Sequence, residues 1–95
     1  MGHYFEVMSV PTLSKTSVTL DRLLLLCEIA EHGGIMAAAQ GQATRQSQMS
    51  RQMSSLEEAL GVSLLNRDQK PHQLSPHGVK IEQVIRNFSK EFETN

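Results

Sequence analysis

Apolar side chains recur at helical spacing in several stretches of this chain and at no clear spacing before residue 18. Leu20, Leu23, Leu26, Cys27 and Ala30 share one helical stripe, and Gly33-Gly34 follows, which predicts a helix over 20–32. Leu24 and Leu25 lie outside that stripe. A helix apolar on more than one face is expected to pack against a further element, here either the last helix or a second subunit. Ile35, Ala38 and Ala39 mark a short second helix from residue 35 to about residue 41, opened by Gly34. Gln42, Ala43 and Thr44 then read as a brief turn, with Thr44 as the N-cap of a long third helix over 45–60. Met49, Met53, Leu56 and Leu60 form its apolar stripe, and Gly61 is placed to end it.

Beyond Gly61, two short and partly apolar segments, 62–67 and 73–75, flank a polar stretch containing Pro71. That pattern predicts a small β-hairpin. Ser75-Pro76 is a helix start, with serine as cap and proline at the first helical position. Ile81, Ile85, Phe88 and Phe92 then recur at helical spacing to the end of the sequence. Helix, short helix, tight turn, long helix and hairpin is the order of a winged helix-turn-helix. The expected fold is mainly α: a three-helix core plus a small β-hairpin wing, followed by a C-terminal linker or dimerisation helix. The corresponding division is an N-terminal arm over 1–17, without a clean period, the winged domain over 18–78, and the last helix over 79–95.

Composition narrows the function classes. With 95 residues there is room for one domain of ordinary size, and so small a core leaves a role for a partner subunit. The sequence has no tryptophan and only 4% aromatic residues, so leucine, isoleucine, methionine and alanine must build the interior. Cys27 is the sole cysteine, which excludes an intrachain disulfide and a cysteine-rich zinc site; a reduced packing role is expected. His3, His32, His72 and His77 lack metal-ligand spacing, and neither a nucleophile elbow nor a glycine-rich phosphate loop is present. No catalytic residue, metal or cofactor is expected. Residues 1–10 lack the sustained apolar core of a signal peptide, and the longest apolar run, Leu23 to Cys27, is too short to span a bilayer. The expected location is cytoplasmic.

Charge changes the picture only when it is mapped. The net charge of −1 argues mildly against a polyanionic partner. Yet no acid occurs between Glu31 and Glu57, a window that holds Arg45 and Arg51. A second acid-poor stretch holds Arg67, Lys70 and His72 with Asp68 as its one carboxylate. Opposite the apolar stripe of the third helix lie Ser47, Ser50, Arg51 and Ser54, with Gln46 and Gln48 nearby. These are short or two-point hydrogen bonders suited to base edges and phosphates in a major groove. A merely solvated helix face is the competing reading.

The stretch 20–78 resembles the N-terminal DNA-binding domain of LysR-type transcriptional regulators. Ala30-Glu31-His32-Gly33 resembles the A-E-x-G ending of that family's first helix, and Ala38-Ala39 its paired alanines. Gln46 followed by Ser50-Arg51-Gln52 is similar to the S-Q-P-A-x-S-R-Q opening of its recognition helix. Leu56-Glu57-Glu58-Ala59-Leu60-Gly61-Val62-Ser63-Leu64-Leu65-Asn66-Arg67 runs alongside L-E-x-x-L-G-x-x-L-F-x-R without a gap, and Leu74-Ser75-Pro76-His77-Gly78 resembles L-T-x-x-G. The resemblance implies double-stranded DNA as partner, Gln46, Ser47, Ser50 and Arg51 facing it, and Arg67 at the base of the wing near phosphates. Arg45, Gln48, Ser54 and Lys70 complete the candidate DNA-binding set. It also implies a homodimer joined through the last helix; Leu24, Leu25, Ile81, Ile85, Phe88 and Phe92 are the candidate dimerisation residues.

The departures cluster in the second helix and its turn. Arg45 stands where the family has serine, Ser47 where it has proline, Met36 where it has threonine and Gln42 where it has a buried leucine. Gly41 weakens the end of the second helix by roughly 1 kcal/mol relative to alanine. An altered DNA contact is expected there. The sequence ends at Asn95, before the family's effector-binding domain would begin, so no small-molecule sensor is expected within it. The alternative function is a protein-interaction module that dimerises with a full-length regulator without binding DNA itself.

Overall fold

The computed structural model describes residues 16–68 and 73–94. Four helices and a two-stranded sheet follow one another in the chain: α1 (Leu20–His32), α2 (Ile35–Ala38), α3 (Ala43–Leu60), β1 (Leu65–Asn66), β2 (Gln73–Leu74) and α4 (Pro76–Thr94).

α1 has the predicted bounds. Thr19 caps it, its hydroxyl accepting from the Arg22 amide at 3.1 Å, with Asp21 in the first turn beside the positive end of the helix dipole. At the other end Gly33 turns left-handed at φ 85°, and the amides of Gly33 and Gly34 donate to the Ala30 and Ile29 carbonyls, closing the last turn. The buried stripe is rotated from the one the spacing suggests. Leu26 and Ile29 are fully buried, whereas Leu20 is 62% exposed. Leu20 sits in the first turn, beyond the reach of the other elements; Ile29, a turn further along from Leu26, faces them. α1 touches α2, α3, α4 and β2, so its surplus apolar surface is met in part by the last helix.

α2 is a single turn rather than the longer helix expected to about residue 41. Gln40 (φ 55°) and Gly41 (φ 78°) are both left-handed, and two such residues in succession cannot continue a right-handed helix. Chain reversal therefore begins earlier, and α3 starts at Ala43, two residues before the expected position. Thr44 lies inside α3 and is not its cap. Gln42 occupies the cap position, with no side-chain hydrogen bond to the first turn.

The core joins Leu26 and Ile29 of α1, Ile35, Ala38 and Ala39 at α2, Met49, Met53 and Leu56 of α3, and Leu64 and Leu65 at β1. Each large side chain so buried contributes about 1.5–3 kcal/mol of transfer free energy. Leu60, the last member of the expected α3 stripe, is half-buried against this core. The strands pair antiparallel, Leu65 with Leu74 and Asn66 with Gln73, as a hairpin requires. Ser75 then starts α4. Its hydroxyl donates to the Ser63 carbonyl at 2.5 Å and accepts from the Gly78 amide at 3.1 Å. The wing and the last helix are thereby tied at one residue.

Candidate nucleic-acid interface

Burial of Met49, Met53 and Leu56 sets the roll of α3 about its axis, and with it which side chains face out. Arg45, Ser47, Gln48, Arg51 and Ser54 are exposed, while Gln46 and Ser50 are half-buried. The N-terminal half of α3 thus presents hydroxyls, amides and two guanidinium groups, and no carboxylate of its own. The first turn adds backbone N–H groups that Gln42 does not cap, at the positive end of the helix dipole.

The three described arginines of the candidate set differ in their partners. Arg45 is tied back to α1, its Nη2 donating to Glu28 Oε2 at 3.0 Å. Both side chains are well exposed, so the pair contributes little to stability and its members exchange partners readily. Among the described residues Arg51 forms no ion pair. It lines a shallow depression with Arg22, Gln48, Gln52 and Ser55. Arg22 was not expected in this set. It lies on α1, outside the acid-free window, and only the packing of α1 on α3 brings it beside Arg51; nothing in the linear pattern signals it.

Arg67 follows directly on β1 and is engaged. Its Nη1 donates to Glu57 Oε1 at 2.7 Å and to Oε2 at 3.0 Å, and its Nη2 donates to the Ser54 hydroxyl at 3.3 Å. Glu57 Oε2 also accepts the Leu64 and Leu65 amides, at 2.7 and 3.1 Å. Glu57 was legible only as an acid late in α3; its service to the wing was not, because its partners lie 7 to 10 residues away across a turn. Lys70 lies outside the described residues.

The candidate dimerisation residues separate in the same way. Leu25 and Ile81 pack against the core and Ile85 is half-buried. Leu24, Phe88 and Phe92 are exposed, at 47%, 65% and 74%, and Val84 joins them at 57%. The Phe88 and Phe92 rings stack with centroids 6.0 Å apart. Elsewhere on α4, Arg86 pairs with Glu82 and its Nη2 donates to the Cys27 carbonyl at 3.4 Å. Burial pushes the Cys27 thiol above its ordinary range, an effect partly offset by the Arg86 charge. Among the described residues, no group of His, Cys, Asp and Glu side chains could hold a metal ion, and no helix is long and apolar enough to cross a membrane.

Comparison with known proteins agrees with this architecture. Residues 20–79 match the family model for bacterial regulatory helix-turn-helix proteins of the lysR family. The crystal structure of VV2_1132, a LysR family transcriptional regulator, is 28% identical with a TM-score of 0.65; the match covers 83% of this chain and 28% of that one. The chain therefore spans little more than a quarter of that regulator. The crystal structure of the BenM DBD in complex with benA site 1 DNA is also 28% identical, with a TM-score of 0.68, covering 80% of this chain and 85% of that one. Among curated proteins, none matches the chain.

Proposed function

This chain belongs to the lysR family of bacterial regulatory helix-turn-helix proteins, and on that premise we propose that it binds double-stranded DNA sequence-specifically, as a transcriptional regulator or the DNA-binding part of one. One observation carries the reading: the exposed N-terminal half of α3 is free of acids and offers Arg51 with no acidic partner among the described residues. The likeness to a domain crystallised with DNA supports it. In this reading α3 enters the major groove. Arg51, Gln46 and Gln48 meet base edges, and Ser47, Ser50 and Ser54 meet phosphates or bases. Arg45, Arg22 and Arg67 serve the backbone, with Lys70 assigned to the same role. LysR regulators are not an enzyme class; for this chain too we propose binding without catalysis, without a cofactor, in the cytoplasm. We further propose a homodimer through Leu24, Val84, Phe88 and Phe92, with Leu25, Ile81 and Ile85 supporting that surface from beneath.

A second reading, a dimerisation module that does not touch DNA, draws on the pairing of Arg45 with Glu28 and of Arg67 with Glu57. The Arg45–Glu28 pair is solvent-accessible and individually weak, so a phosphate can compete for Arg45, whereas Arg67 keeps donor hydrogens without a partner among the described residues while it is paired.

Selection from a random duplex library, followed by titration at several salt concentrations, separates the two. DNA binding predicts that affinity falls steeply with salt as counterions are released. Arg51→Ala should weaken the selected duplex by about 1–3 kcal/mol if it reads a base. Retention of no duplex, or binding indifferent to both salt and the substitution, overturns the reading.

A further inference from the structure

We propose that Glu57 is a positioning residue of the interface: one carboxylate on α3 both fixes the wing strand and holds Arg67 in the orientation in which it meets DNA. The inference rests on the DNA-binding reading and goes beyond it, because Glu57 itself carries the wrong charge to touch a phosphate.

The geometry is that of a junction. Glu57 Oε2 accepts the amides of Leu64 and Leu65, the two residues through which the chain enters β1, and both are buried in the core. Its side chain is 13% exposed, so this carboxylate is largely removed from water and its lone pairs are taken by named donors. The same group receives Arg67 Nη1 on both oxygens, and Ser54, one turn earlier on α3, receives Nη2. Arg67 is thus gripped on one edge by two side chains of α3. Its Nε and a second Nη2 hydrogen have no partner among the described residues.

An arginine is a rigid fork on a long flexible stem, and ordering that stem on binding opposes association. Here the stem is already ordered by α3, the element that reads the groove. The cost in charge is that Glu57 partly neutralises the arginine. Glu57 therefore exchanges electrostatic strength at this position for geometry, and makes the wing and the recognition helix move as one body. Ser54, an expected DNA contact, acts in this arrangement on Arg67.

The test uses the full 95-residue chain and the duplex it selects from a random library. Arg67→Lys is the informative variant: it keeps the charge, leaves the Glu57 contacts to Leu64 and Leu65 in place, and removes the fork. Positioning predicts that R67K loses about tenfold in affinity, close to the loss from R67A. A point charge near a phosphate predicts R67K within twofold of the parent, which would overturn the proposal. Glu57→Gln should also lose about tenfold at a temperature where circular dichroism shows it folded. In the E57Q background the further effect of R67A should shrink to under twofold; effects that multiply independently would count against the coupling. If E57Q does not fold, the R67K and R67A pair decides alone. Failure of the parent chain to retain any duplex would instead refute the DNA-binding reading, a separable outcome.

Discussion

Gln40 holds a left-handed backbone at φ 55°, a conformation in which a side chain crowds the following carbonyl. It sits just past α2, and the Gln40 and Gly41 amides donate to the Ala37 and Met36 carbonyls, the pairing that closes a helix through a left-handed residue. Glycine fills that position most readily. Gln40→Gly should therefore stabilise the fold by up to about 1 kcal/mol, against the usual penalty for added glycine. Urea denaturation with an unchanged slope and a raised midpoint would report this; a lowered midpoint would mean that the Gln40 side chain contributes more than its backbone costs. The arginines show a related point. Arg45, Arg51 and Arg67 look equivalent in the sequence, yet among the described residues two are engaged by acids and Arg51 is not. Pairing depends on what the fold places opposite each one.

At the level of elements, the wing has the more exacting attachment. Gly78, in the first turn of α4, lies so close to the strand entry that a Cβ there would stand 2.3 Å from the Leu64 carbonyl oxygen. Leu64 is buried and its carbonyl already accepts the Ser75 amide, so the backbone cannot easily retreat. Helix propensity alone would make Gly78→Ala favourable by about 1 kcal/mol. Steric overlap should reverse the sign and destabilise by about 1–3 kcal/mol, read as a lowered melting temperature. A raised melting temperature would show that propensity outweighs the close approach. The signal for this glycine was present in Leu74-Ser75-Pro76-His77-Gly78, but only the packing explains it. The same holds for α2: its alanines predict a close helix contact, while its length is decided by the reversal that α3 demands.

For the molecule as a whole, α4 leaves Val84, Phe88 and Phe92 exposed among the described residues, and α1 leaves Leu24 exposed. Exposed apolar side chains that cluster, as the stacked Phe88 and Phe92 rings do, are the mark of an association surface. A chain of this size also gains from a partner subunit. Phe88→Asp should convert a dimer to a monomer in sedimentation velocity; an unchanged mass would move the interface elsewhere. Helix 20–32, the apolar stripe of the long helix, the hairpin and the Ser75-Pro76 helix start were all determined by the sequence alone. Each follows from local rules, namely apolar period, capping chemistry and turn residues, that act over a few positions. The acid-free window before Glu57 was equally legible, since it is a property of order along the chain. Only the tertiary structure decided that Ile29 rather than Leu20 enters the core, and that α3 begins at Ala43. It alone brought Arg22 beside Arg51, and it alone joined Glu57 to the wing and to Arg67. Those outcomes depend on which distant residue stands across a contact, and no local period encodes that.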